Sequence, residues 1–256
     1  MNRVKLFVRL LAIQRVLIRH GIDALLADSE LLGPARLLLR LSPRTWGPRR
    51  LDTPRGVRIR QALEDLGPIF VKFGQSVSTR QDLLPADIGM ELAKLQDEVP
   101  PFPAEQALEE VERSFGAPAE TVFAAFDREA LAAASIAQVH AARLHSGEDV
   151  VVKILRPRVR QLIQQDLEVM YTLARLAQRW WPEARRLRPV AVVSEYEKTI
   201  LNELDLLREA GNATQLRRNW QGSPLIYVPK VYFDYCRTSV MVMERIRGIP
   251  IDDITA

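Results

Sequence analysis

Cysteine is almost absent from the 256 residues: Cys236 stands alone, so no internal disulfide can form. A lone cysteine beside a strand-like segment reads as a small buried apolar side chain, and a chain without disulfides suits a reducing compartment. No uncharged apolar run reaches the ~18 residues a bilayer-spanning helix needs. The N-terminus is basic and apolar but lacks the small-residue cleavage site of a secretory signal. Internal repeats and low-complexity segments are also missing. What remains is 47% hydrophobic and 27% charged, the composition of a folded chain with enough apolar surface for one large domain or two modest ones.

Charge is unevenly spread. Residues 1–60 hold twelve Arg and one Lys against Asp23, Asp28, Glu30 and Asp52, a net of +9. The whole chain carries +4, so residues 61–256 carry −5. A basic head on a mildly acidic body points to an anionic surface as partner. Within the head, Leu6, Leu10, Ile13 and Leu17 with interspersed Arg9, Arg15 and Arg19 predict an amphipathic helix over 3–27. Such a helix either packs on the rest of the protein or lies on anionic lipid. Residues 31–50 repeat the theme in short pieces broken by Pro34, Pro43 and Pro48.

Further along, a stripe of Val57, Ala62, Leu63, Leu66, Ile69, Phe70 and Phe73 predicts a helix over 56–82. A short one follows at 86–97, closed by Pro100, Pro101 and Pro103, and another at 104–115 stopped by Gly116 and Pro118. The period then changes. Phe126 to Leu155 reads as strand, Ala-rich turn, strand, hairpin at His145–Glu148, and strand. A helix over 158–181 is expected to turn Leu162, Leu167, Met170, Leu173 and Leu176 inward. A long helix at 190–219 and two strands near 228–235 and 239–245 complete the pattern.

Lys153 is the residue to explain. It lies mid-strand, with Val150, Val152 and Ile154 on one face and Val151, Lys153 and Leu155 on the other. An ammonium among such neighbours must be paired or solvated. The strand alone allows a paired lysine or one exposed on an open face. Context favours pairing, because strand, strand, strand with lysine, helix with glutamate, strand, strand is the order of a kinase N-lobe, and Glu209 is the natural partner. Ala210, Gly211 and Ala213 beside it are small enough for close approach. No Gly-x-Gly-x-x-Gly lies between the first two strands. An Ala-rich stretch, residues 130–140, stands there instead.

That stretch, with Val150–Lys153 and the following Ile-Leu-Arg-Pro, resembles the Ala-rich loop and strand lysine of the UbiB family of atypical kinases. Lys72-Phe-Gly74-Gln75 resembles the family's Lys-x-Gly-Gln signature, and Glu203-Leu-Asp205 its Glu-x-Asp motif. Pro85, Leu95-Gln96-Asp97 and Met243-Glu244-Arg245 fit as well, so the likeness covers nearly all of the chain.

The resemblance implies an α+β fold. A mostly helical extension over 1–118 carries the Lys-x-Gly-Gln motif, and a kinase-like N-lobe over 119–256 has an antiparallel sheet and a long helix; the C-lobe is not in the sequence. It implies ATP as ligand. Lys153 would meet its phosphates and pair with Glu209, while Leu131, Ala132, Ala133, Ala134, Ser135, Ile136, Ala137, Gln138 and Val139 would cover them with backbone amides and the Ser135 hydroxyl. Backbone near Glu244 and Ile246 would meet adenine, and Lys72 and Gln75 would reach toward the nucleotide or toward Glu203 and Asp205. On an unbroken helix, Glu203 and Asp205 point apart whereas Asp205 and Glu209 share a face.

The catalytic loop and the Mg2+-binding segment of a kinase have no counterpart here; His20, His140 and His145 start no such motif. They are expected beyond residue 256, as are the family's membrane helices. The implied role is a small-molecule kinase or ATPase of ubiquinone biosynthesis, with an ATP-switched regulator or a lipid-handling accessory protein as alternatives. The implied partners are ubiquinone-biosynthesis enzymes, quinone precursors and an anionic membrane surface, with no nucleic acid. The implied location is the cytoplasmic face of a bacterial inner membrane.

Overall fold

A computed structural model describes residues 3–22, 53–78, 84–95, 100–180 and 185–249. The pieces expected at 31–50 lie outside the described residues. The chain divides into two compact units: residues 1–97 with 160–200, and residues 98–159 with 201–256. The single boundary expected at 118/119 is therefore not where the chain divides. Residues 98–118 join the sheet they pack against, and most of the helix after the third strand joins the helical unit.

The helical unit contains α1 (Arg3–Arg19), α2 (Arg55–Leu66), α3 (Pro68–Ser78), α4 (Ala86–Leu92), most of α7 (Val159–Trp180) and most of α8 (Pro189–Glu203). The helix expected over 56–82 is two helices. Gly67 sits at φ 107, a conformation that costs glycine little, and Pro68 then opens α3 at the one helical position where a missing N–H is harmless. Ala62, Leu66, Ile69, Phe70 and Val71 are buried on either side of this break.

On α7 the inward stripe is Ile163, Leu167, Met170 and Ala174, whereas Leu162, Leu173 and Leu176 face solvent. The leucine pattern misplaced the stripe because its true line passes through Asp166, which is 1% exposed. Arg9 makes that burial tolerable. Its Nε and Nη2 donate to the two Asp166 carboxylate oxygens at 2.6 and 3.0 Å, and Nη2 also donates to the Leu66 carbonyl at 2.8 Å. Ile13 and Ile18 of α1 are buried, so this helix packs on its own unit, with Phe7 and Val8 left outside.

The second unit is a four-stranded antiparallel sheet in the order β1 (Ala125–Ala133), β2 (Ala137–Arg143), β3 (Asp149–Leu155), β4 (Val240–Glu244). Register sorts its side chains. His140, Val152 and Val242 lie opposite one another, as do Gln138, Ile154 and Val240. This face packs on α5 (Ala104–Phe115) and α6 (Ala119–Val122) through Ala107, Val111 and Phe123. The alternate rows, Val139 with Lys153 and Met241, and Ala141 with Val151 and Met243, form the other face. The α+β class and the sheet match expectation. The strand expected at 228–235 does not form. Val231 makes a single bridge to Met243, and Phe233–Tyr235 winds into a 3-10 turn.

Candidate functional site

The long helix expected over 190–219 breaks at Leu204 and Asp205 into α8 and α9 (Leu206–Asn219). Asp205 is the N-cap, its carboxylate accepting from the Arg208 N–H at 3.3 Å. Its conformation, φ −118 and ψ 89, is not helical, so the expected shared face of Asp205 and Glu209 on one continuous helix does not exist. What the break does is aim α9. Leu206 donates its N–H to the Thr238 carbonyl at 3.0 Å, and Leu206 and Ala210, one turn apart, are completely buried. Ala210 supplies the close approach. A Cβ on Gly211 would meet nothing, so that glycine is not needed for space.

Glu209, on the neighbouring line of α9, receives two hydrogen bonds from the Lys153 ammonium, at 2.6 Å to Oε1 and 2.8 Å to Oε2. The side chains retain 26% and 40% exposure, so the pair stays open to a ligand. Around it, Val139, Val151, Met241 and Met243 give the face a short apolar floor, with a cation at its edge. An ammonium held bidentately by a carboxylate keeps one donor for a third group. The pair thus fits a phosphate-bearing ligand.

The Ala-rich segment is two strand ends joined by a turn. Leu131 and Ala132 are exposed, Ala133 and Ala134 half-buried, Ser135, Ile136, Ala137 and Gln138 buried, and Val139 half-buried again. The Ser135 hydroxyl, expected to face a phosphate, belongs to a residue with no exposed surface. Gln138 is also committed elsewhere. Its carboxamide donates to the Phe102 carbonyl and accepts from the Phe102 N–H, at 3.3 and 3.0 Å.

Glu244 ends β4 with its side chain turned to the segment 227–230 that precedes the strand. Tyr227 Oη donates to it at 2.7 Å and the Lys230 N–H at 3.0 Å, and these bonds hold the carboxyl below the usual range. Its backbone N–H is engaged too, donating to the Lys230 carbonyl at 2.8 Å, so an adenine contact at this residue would fall to its carbonyl.

The Lys-x-Gly-Gln and Glu-x-Asp motifs fall in different units. Gly74 is where α3 meets its neighbours, since a Cβ there would come within 2.5 Å of Leu95 Cδ1 and 2.7 Å of Leu63 Cδ1. Gln75 donates to the Leu95 carbonyl at 3.0 Å, so its amide binds its own unit together. Lys72 is half-buried on the same helix, and Glu203 is half-buried at the end of α8.

Residues 94–256 match the ABC1 atypical kinase-like domain. The chain belongs to the UbiB family of ABC1 atypical kinase-like proteins. Among UbiB relatives, the probable protein kinase UbiB of Pseudomonas aeruginosa strain UCBPP-PA14 is 60% identical over 250 residues, covering 97% of this chain and 47% of that protein. The Azotobacter vinelandii protein of the same description is 57% identical with the same coverage. This chain therefore spans about half the length of these UbiB relatives. Among solved structures, the complex of Rv3197 with erythromycin from Mycobacterium tuberculosis aligns with TM-score 0.53 and 28% identity, over 69% of this chain and 44% of that one.

Sequence reasoning overlooked Arg156, Tyr227 and the inward turn of Gln138. Arg156 and Gln138 act on backbone groups distant in sequence, and Tyr227 on the Glu244 carboxylate. Only the Arg-Pro that follows the strand lysine drew notice to Arg156.

Proposed function

We propose that this protein binds ATP and acts as a small-molecule kinase or ATPase in ubiquinone biosynthesis. The Lys153–Glu209 ion pair carries the reading: a strand cation is held bidentately by a helix carboxylate on the sheet face that also carries Val139, Val151 and Met243. Lys153 would bind the phosphates, Glu209 would fix its position, and the backbone at Glu244 and Ile246 would receive adenine. The Ala-rich turn would offer N–H groups to the phosphates, and Lys72, Gly74 and Gln75 with Glu203 and Asp205 would act as family-motif residues.

Among the described residues no three His, Cys, Asp or Glu side chains gather as a metal site. Mg2+ is the proposed co-ligand of the phosphates. The bound metal would neutralise phosphate charge during transfer. Quinone precursors and the enzymes that process them are the proposed partners, at the cytoplasmic face of a bacterial inner membrane.

The experiment is a melting-temperature titration of the intact protein with ATP, alongside phosphate release. Wild type should be stabilised by ATP, by about 2.7 kcal/mol at a hundredfold excess over Kd. Lys153→Ala should lose that stabilisation. An equal shift in the variant would refute the site. Stabilisation without turnover would instead support an ATP-switched regulator.

A further inference from the structure

The Ala-rich turn is not held by its own sequence. Arg156, one residue past β3, reaches back to it. Its Nε donates to the Ala134 carbonyl at 2.9 Å, its backbone N–H to the Ile136 carbonyl at 2.8 Å, and its Nη2 to the Pro100 carbonyl at 2.9 Å. The guanidinium also lies over the Phe102 ring, 5.5 Å from the centroid. Gln138 binds the same Phe102 backbone from β2, and inside the turn the Ala134 N–H donates to the Ala137 carbonyl at 2.8 Å. Three carbonyls of the turn, at 134, 136 and 137, are therefore engaged within the protein.

This has an electrostatic consequence. A turn that faces a polyanion must keep its carbonyl dipoles away from it and its N–H groups toward it. A glycine-rich loop does so by backbone freedom, which alanine lacks. Here Arg156, drawn from the neighbouring strand end, takes up the Ala134 carbonyl with its guanidinium and the Ile136 carbonyl with its backbone N–H.

We propose that Arg156 is a positioning residue that locks the Ala-rich turn in its phosphate-receiving conformation and so sets the protein's discrimination between phosphorylated and unphosphorylated adenosine. The proposal rests on the nucleotide reading above. The test is calorimetric affinity of the full-length protein for ATP, ADP and adenosine, in wild type, Arg156→Met, Arg156→Lys and Lys153→Ala. Methionine keeps the apolar stem over Phe102 and removes the donors. Arg156→Met should weaken ATP about tenfold or more, the loss expected for charge-assisted hydrogen bonds, while adenosine stays within about twofold. Arg156→Lys, with one compact donor group for two divergent carbonyls, should fall between.

If ATP and adenosine weaken by the same factor, Arg156 is merely structural and the proposal fails. Unchanged ATP affinity in Arg156→Met, with Lys153→Ala still defective, overturns the lock and leaves the nucleotide site standing. A wild-type protein that binds no nucleotide overturns both.

Discussion

His140 shows how one buried polar side chain can be assigned a proton state by its neighbours. It has no exposed surface, and its Nδ1 lies 2.8 Å from the Asp127 carbonyl, which can only accept. Nδ1 therefore carries the proton, and Nε2 accepts from the Gln138 amide at 2.7 Å. Burial depresses the imidazole below its ordinary value. The unfolded chain thus binds this proton at higher pH than the folded one. Stability is full above the ordinary histidine value of about 6.5 and declines as pH falls from there toward the folded value, by at most about 1.4 kcal/mol per pH unit. Protonation also turns Nε2 into a donor against the Gln138 amide, and Gln138 holds Phe102. Melting curves from pH 7.5 to 5 should slope more steeply for wild type than for His140→Gln; parallel slopes would refute the assignment.

Among the elements, the sheet was the most legible in sequence, because β3 alternates along a β-branched run and the hairpin residues at 145–148 mark the turn before it. Its inner face gathers on Phe123, which is 1% exposed and touches Phe115, Phe126 and Tyr235 at centroid distances of 6.4, 5.9 and 6.4 Å. Phe123→Ala should cost about 3–5 kcal/mol, read as a lower denaturant midpoint, since the ring's volume is enclosed by helices and strands alike. A loss under 1 kcal/mol would mean that the surroundings collapse into the gap. Helices were read well as to existence and poorly as to continuity. The breaks at Gly67 and at Leu204–Asp205 each look, by apolar period, like uninterrupted helix. An aspartate in mid-helix and an N-cap aspartate are the same letter until the backbone turns.

Over the whole molecule, charge is the property that no single contact explains. The basic first sixty residues oppose an acidic remainder, and Phe7 and Val8 stay exposed on a helix whose Arg9 is already spent on Asp166. Among the described residues no helix is long and apolar enough to cross a membrane. We propose that this asymmetry serves contact with an anionic membrane surface. The intact protein should float with vesicles containing phosphatidylglycerol and not with pure phosphatidylcholine, and should be released at 1 M salt, where the screening length is about 3 Å. Equal flotation on both vesicle types would remove charge as the cause.

Periodicity and spacing by themselves marked the four strands that form and the hairpin, which follow from local alternation, whereas the α+β class and the lysine–glutamate pair came from the order of elements and the family resemblance. Tertiary structure alone decided where helices break, which leucines of α7 face outward, and that Ser135 and Gln138 turn into the protein. It also decided that Arg156 reaches the Ala-rich turn. Those outcomes depend on carbonyls, N–H groups and ion-pair partners brought together from distant positions, and side-chain identity does not encode where a backbone oxygen will point.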